Sequence, residues 1–78
     1  MEIQFKKKTD KAQKFMVKID IENFFKSQKI TKLVKLSENE KWIYFAPVLS
    51  QMEQSLVVAL VTKRYSHLID EVKEYEEA

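Results

Sequence analysis

Lysine and aromatic residues are interleaved with apolar ones in this chain, and their types and spacing suggest that it binds a polyanion. Residues 1–35 contain ten lysines against four acidic residues, a net charge of +6, whereas residues 36–78 have a net charge of −4. Positive charge beside exposed rings is how sequence-tolerant proteins bind single-stranded nucleic acid, because ammonium groups attract phosphates and bases stack on rings. The candidate nucleic-acid-binding residues are Lys6, Lys14, Lys18, Lys35, Trp42 and Tyr44. Ile43 and Phe45 are the alternative outward pair, because alternation alone does not decide which face of their strand is exposed.

An ordinary structural role for the same lysines is the alternative. Lysine commonly alternates with apolar residues on half-exposed strands and protects sheet edges from pairing with other chains. Of the 14 basic residues only Arg64 is an arginine, although bidentate recognition of base edges favours arginine. We therefore predict weakly sequence-selective binding of nucleic acid, DNA included, by a basic sheet face, with a solvated surface as the alternative.

The sequence contains no motif typical of an enzyme or of a cofactor site. It has no Gly, which phosphate-binding loops, dinucleotide folds and nucleophile elbows need for positive φ or for close approach of the backbone to a ligand. It also has no Cys, which excludes thiol chemistry and disulfides. His67 and Glu71, four residues apart, are too few ligands for a metal site. We expect a non-enzymatic binding module without cofactor or metal.

A stripe of apolar residues in the C-terminal part predicts a protein interface. Its members follow the alternating spacing of three and four that marks one face of a helix. They are Val58, Val61, Tyr65, Leu68, Val72 and Tyr75. The alternative function is therefore a small adaptor or inhibitor that forms a homodimer or docks on a larger protein. Packing on the protein's own sheet explains the stripe up to Leu68 equally well, so Val72 and Tyr75 are the better candidates for contact with another molecule.

A helix over residues 50–77 is predicted to be the element that the sheet covers. Ser50 and Glu53 have the spacing of a capping box, in which each side chain accepts the backbone N–H of the other residue. Three valines within residues 55–62 leave a strand as the alternative there. A straight helix of this length would exceed the diameter of the domain. We therefore expect it to bend between Thr62 and Ser66, or to project into a partner.

Alternation of apolar and polar residues predicts the strands of a small antiparallel sheet. We predict three or four strands, at about 2–7, 14–21, 30–36 and 41–46. After the second strand, Asp20 can cap a short helix over residues 21–28, or this segment can continue as an irregular strand. The last two strands form a hairpin at Asn39, which tolerates positive φ. A helix starting at Ser37 is the competing interpretation, but it would place Pro47 in a helix interior at a cost of about 3 kcal/mol.

These elements predict one α+β domain over residues 1–78. A content of 45% hydrophobic and 33% charged residues is typical of a globular protein. The N-terminus lacks the apolar core of a signal peptide, and the longest apolar run, residues 42–49, is too short to span a bilayer. We expect a cytoplasmic protein that contacts no membrane.

The order of strands followed by a C-terminal helix is similar in layout to the positive-cofactor type of single-stranded-DNA-binding coactivators. The stretch from Val17 to Ile21 corresponds in position to a strand of those proteins. The resemblance is one of layout over part of the chain and includes no specific motif. It implies a curved basic sheet that binds single-stranded DNA and a helix that forms a homodimer.

Overall fold

The computed structural model describes residues 1–46 and 48–73 and contains four strands and two helices. The elements are β1 (Glu2–Phe5), α1 (Lys11–Ser27), β2 (Leu33–Leu36), β3 (Trp42–Ala46), α2 (Gln51–Tyr65) and β4 (Ile69–Lys73). The strands form one sheet in the order β2-β3-β1-β4, and every neighbouring pair is antiparallel. Each helix therefore connects two parallel strands that are separated by a third strand, which is the split β-α-β arrangement of ferredoxin-like folds. The prediction of an α+β domain with a small antiparallel sheet is confirmed.

Both helices cover the same face of the sheet. Buried and more exposed residues alternate along the strands, so the buried side chains of β1, β2 and β3 share one side. The buried core consists of Met1, Ile3, Phe5, Val17, Ile21, Phe25, Val34, Ile43, Phe45, Leu49, Val57 and Val61. In the described part of the chain nothing covers the opposite face of the sheet, which we call the open face. In the same residues no helix is long and apolar enough to cross a membrane.

The strand predicted at residues 14–21 is wrong, because this segment is the middle of α1. Val17, Ile21 and Phe25 are spaced four apart and are all buried, whereas Phe15 and Ile19 of the alternating series are 50% and 39% exposed. The apolar positions in this segment satisfy the periods of both a strand and a helix. The observed burial fits only the helix, because a strand would put Phe15 and Ile19 on the same face as Val17, Ile21 and Phe25.

Local signals at the start of α1 also favour the helix. The Asp10 carboxylate accepts a hydrogen bond from the backbone N–H of Ala12 at 2.8 Å, and the Gln13 side chain accepts the backbone N–H of Asp10 at 3.4 Å. This capping box satisfies N–H groups that have no partner within the helix. The short helix considered for residues 21–28 is the second half of α1. The layout shared with the coactivators is lost, because Val17 to Ile21 do not form a strand.

The C-terminal helix begins where predicted but is shorter. Ser50 and Glu53 form the expected capping box, and residues 55–62 are helical, so the strand alternative there is wrong. The helix ends at Tyr65, where the sequence analysis expected a bend. Three turn residues follow, and the chain then pairs with the edge of β1 as β4 instead of continuing as a helix. Residues 74–77 of the predicted helix lie outside the described residues.

The size of the domain explains why the helix ends. A helix over residues 50–77 would be about 40 Å long, whereas the extents of the domain are 31 × 30 × 18 Å. Folding back as a strand lets the N–H of Lys6 donate to the carbonyl of Leu68 at 3.1 Å and brings Ile69 against the core. Backbone groups at the edge of β1 thereby gain partners that a continued helix would not supply.

The predicted hairpin between the third and fourth segments is confirmed as β2 and β3. The residue with positive φ in its turn is Glu40, at 56°, and not Asn39. Asn39 stabilises the turn through its side-chain oxygen, which accepts the backbone N–H of Lys41 at 3.0 Å and the Ser37 hydroxyl at 2.7 Å. The two strands are shorter than predicted at their N-terminal ends by one to three residues.

Two matched substitutions distinguish the helix from a strand at residues 14–21. Ile21→Ala removes a fully buried side chain and should lower the free energy of unfolding by about 2–5 kcal/mol. Ile19→Ala, at a partly exposed position, should cost less than about 1 kcal/mol. Urea unfolding followed by circular dichroism measures both. Equal losses would contradict the helix, because a strand places both residues on one face.

Candidate nucleic-acid interface

Two aromatic side chains of β3 lie next to each other on the open face. Ile43 and Phe45 point into the core, so Trp42 and Tyr44 point to the other side. Tyr44 is 36% exposed and Trp42 is half-buried. Because β3 has neighbours on both sides, its backbone is held in the interior of the sheet. We call this pair of rings the aromatic platform.

Strand pairing places charged residues of both signs around the platform. Tyr44 is flanked by Lys35 of β2 and Glu2 of β1, and Glu2 is in turn paired with Lys73 of β4. The Lys73 ammonium lies 5.3 Å from the centroid of the Trp42 ring, within the range of a cation–π contact. The platform therefore has one lysine beside Tyr44 and the ammonium group of another over the ring of Trp42.

The row of cross-strand neighbours that contains Trp42 is more polar. Gln4 of β1 pairs with Trp42, and Glu71 of β4 pairs with Gln4. The Glu71 carboxylate lies 3.8 Å from the Lys73 ammonium. The two lysines and two glutamates nearest the rings thus balance in charge, so the platform by itself is not a strong attractor of phosphate.

A denser group of positive charges lies where β1 ends, and we call it the basic corner. Its lining surrounds a depression of about 410 Å³ between β1, the start of α1 and the β2–β3 turn. The lining residues are Phe5, Lys6, Lys7, Lys14, Asn39 and Lys41. These residues contribute four ammonium groups and no carboxylate. Lys41 directly precedes Trp42, so the corner adjoins the platform at one end of β3.

Hydrogen bonds fix the backbone of the basic corner. The N–H of Phe5 donates to the carbonyl of Lys41 at 3.2 Å, and the N–H of Thr9 donates to the carbonyl of Lys6 at 2.9 Å. The Lys14 ammonium lies 6.0 Å from the centroid of the Phe5 ring. Glu40, one of the two acidic residues of the adjacent turn, pairs with Lys11 at 3.1 Å.

The six predicted nucleic-acid-binding residues do not share one surface. Lys35, Trp42 and Tyr44 lie on the open face, as the alternation predicts. Lys6 and Lys14 meet at the basic corner instead, because Lys14 belongs to α1.

Lys18 also belongs to α1, so its predicted place on the sheet face is wrong. Its ammonium pairs with Glu22 at 2.7 Å and lies 5.4 Å from the centroid of the Phe15 ring. Its charge is therefore partly neutralised on the helix surface.

Sequence reasoning missed three lysines of the candidate site. Lys41 could have been found from its position next to Trp42. Lys7 and Lys73 carry no such signal, because their places depend on the path of the chain after β1 and on the pairing of β4 with β1.

The apolar stripe predicted as an interface does not lie on one helix. Val61 is buried, and Tyr65 and Leu68 pack against the core. Val58 of α2 and Val72 of β4 are exposed but belong to different elements. The prediction of a continuous stripe is wrong because the helix ends at Tyr65. The remaining member, Tyr75, lies outside the described residues.

Tyr65 has a structural role that its spacing did not reveal. Its hydroxyl donates a hydrogen bond to the Asp20 carboxylate and so joins the end of α2 to α1. Burial, and then the hydrogen bond to this carboxylate, raise the pKa of Tyr65 above its usual value of 10.0. Arg64 lies 3.8 Å from the same carboxylate. These contacts account for Tyr65 within the domain.

An exposed apolar patch lies on α1 and was hidden by the strand prediction. It consists of Phe15, Met16 and Ile19, which project away from the sheet and are all exposed. Phe15 and Met16 are at least half exposed, which is unusual for side chains of this size. We call this surface the α1 patch.

His67 and Glu71 do not lie on one helix. His67 lies in the turn after α2, and Glu71 lies in β4. Among the side chains of residues 1–46 and 48–73, no three of His, Cys, Asp or Glu are grouped as metal ligands.

Comparison of the chain with protein-family models, with curated proteins and with solved structures finds no match.

Proposed function

We propose that the protein binds single-stranded nucleic acid on the open face of its sheet, without catalysis. The observation that supports this most directly is the aromatic platform, two adjacent rings on an interior strand of a face that the described residues leave uncovered. RNA-recognition modules use a four-stranded sheet in this way, stacking two or three bases on aromatic side chains. That likeness is an analogy of architecture, whereas the rings and charges of this chain support the proposed binding.

The placement of charge supports a strand that crosses the platform and ends or turns at the basic corner. Lys35 flanks Tyr44, and the Lys73 ammonium, which lies over the Trp42 ring, would shift to a neighbouring phosphate when a base stacks there. The basic corner adds four ammonium groups beyond Trp42. Because phosphate contacts release counterions, affinity should fall as salt concentration rises.

The chemistry of the platform favours single strands and weak sequence preference. Rings bind the faces of bases, which a duplex hides within its stack. Stacking accepts every base, since each has a π-face. Gln4, paired with Trp42, offers an amide donor and acceptor to one base edge. This is one polar group for base recognition, so selectivity should be modest.

Replacement of one platform ring tests the proposal. Tyr44→Ala should weaken the binding of a labelled single-stranded oligonucleotide by about 5- to 150-fold, since one stacked base contributes about 1–3 kcal/mol. Fluorescence anisotropy at about 50 and about 200 mM salt measures affinity and salt dependence together.

The matched control is Phe15→Ala, which removes an exposed ring from α1, outside the sheet. It should leave affinity unchanged. Wild-type affinity in the Tyr44 variant, or an equal loss in both variants, would contradict a site on the open face.

The α1 patch favours a second candidate function, self-association into a homodimer. A two-fold axis would place this patch against its own copy, so that apolar surface covers apolar surface. A stable interface buries about 800 Å² on each partner, more than three side chains supply. We therefore propose a weak dimer with the α1 patch at its centre.

Sedimentation velocity at increasing protein concentration tests this second candidate. The wild type should shift from monomer to dimer, and Phe15→Glu with Met16→Glu should remain monomeric because a buried, unpaired charge is costly. Val58→Glu is the control, since it places the same charge on an exposed apolar position of α2. A wild type that stays monomeric throughout, or a control that also abolishes the dimer, would refute the interface.

A further inference from the structure

We propose that the basic corner binds the terminal phosphate of the strand, so that the protein prefers oligonucleotides that end in a phosphomonoester. This inference rests on the proposed function, because the platform must hold the rest of the strand. It adds a second site with a different ligand chemistry, and it predicts recognition of a strand end.

The charge of the basic corner suits it to bind a phosphate group. Four lysines line a single depression, and none of its described lining residues is acidic. A cleft lined by one sign of charge raises the local concentration of the opposite ion. Among the nearby acids, Glu40 pairs with Lys11, Asp10 caps α1, and Glu38 is an exposed residue of the β2–β3 turn outside the lining. The positive charge in the corner is therefore available to an anion.

The number of N–H donors in the corner indicates which kind of phosphate group fits it. An internal phosphodiester carries one negative charge, whereas a phosphomonoester carries about −1.5 to −2 at neutral pH and has three free acceptor oxygens. Each ammonium group has three donors. Four lysines around one depression therefore match the larger charge and the three free oxygens of a monoester better than they match a diester.

The position of the corner favours an end of the strand over its middle. The depression lies beyond Trp42, at the end of β3, but Phe5 and Lys14 line it from the side that the helices cover. A strand leaving the open face reaches the corner by bending around the end of the sheet. To continue, it would have to pass over α1, whereas a strand that terminates in the corner meets no such obstacle.

The test compares single-stranded oligonucleotides of one sequence that carry a 5′-phosphate, a 3′-phosphate or no terminal phosphate. We expect one of the two phosphorylated forms to bind at least about tenfold more tightly than the unphosphorylated form, because the terminal phosphate accepts charge-assisted hydrogen bonds. Which of them binds more tightly defines the direction of the strand on the sheet.

Two double variants then locate the preference. Lys7→Gln with Lys41→Gln should reduce the phosphorylated form to the affinity of the unphosphorylated one. Lys26→Gln with Lys63→Gln removes the same charge from exposed helix positions outside the corner and should keep the preference. Thermal melts of both variants establish that the fold is intact.

The outcomes separate this inference from the proposed function. Equal binding of all three oligonucleotides by the wild type would overturn the terminal-phosphate site and leave single-strand binding in place. A preference that survives Lys7→Gln with Lys41→Gln would place the phosphate elsewhere and likewise overturn the inference. Failure of every oligonucleotide to bind would overturn both.

Discussion

Ile3 of β1 and Ile43 of β3 face each other across the two central strands, and neither has any exposed surface. Burying an isoleucine side chain contributes roughly 1.5–3 kcal/mol relative to leaving it exposed, and α1 and α2 supply the apolar surface that covers this pair. Since one face of the sheet is closed by both helices, the side chains of the other face are free to be polar or aromatic. The division into a sealed face and an open face therefore follows from this packing.

The same packing holds the candidate site in place. Trp42 and Tyr44 alternate along β3 with two residues of the core, so the position of the rings depends on the burial of Ile43 and Phe45. A ring set on a strand in the interior of a sheet loses little additional freedom when a base stacks on it, which favours binding. The lysines around the rings differ in this respect, because their long stems keep the ammonium groups mobile until phosphate binds.

The absence of glycine shapes how the chain turns. Positive φ is needed at the end of α1 and in the β2–β3 turn, and there it is adopted by Lys29 and Glu40 at 57° and 56°. Non-glycine residues adopt this conformation at some cost. In the β2–β3 turn, hydrogen bonds to the Asn39 side chain offset that cost. This turn also forms one wall of the basic corner, so the strained backbone helps to position Lys41.

Much of the architecture could be predicted from the sequence, and the failures have definite physical causes. The hairpin, the first strand and the start of α2 follow from alternation and from one capping box. The apolar pattern at residues 14–21 fits a strand and a helix alike. In the fold, the rings of Phe25 and Phe45 are in contact, with 5.8 Å between their centroids. Alternation does not encode tertiary packing of this kind. No Gly or Pro follows Tyr65, so nothing in the local sequence marks the change from α2 to β4.

The candidate site could be predicted in part for the same reasons. Alternation along β3 is a local property, and it predicts that Trp42 and Tyr44 share a face. That this face is the outer one follows from the burial of Ile43 and Phe45. The basic corner is not local, because Lys7, Lys14 and Lys41 come from three separate elements. Residues of that kind are identified only when the path of the chain is known.

Mapping of backbone amide shifts by NMR during titration with a short single-stranded oligonucleotide tests the central claim most directly. If the open face is the site, the perturbed amides should follow β3 and its neighbours. The largest changes are expected at Gln4, Lys35, Lys41, Trp42 and Tyr44. The outer surface of α2, with Ser55 and Ala59 as markers, should not change. Perturbations confined to the two helices, or none at saturating oligonucleotide, would contradict the account.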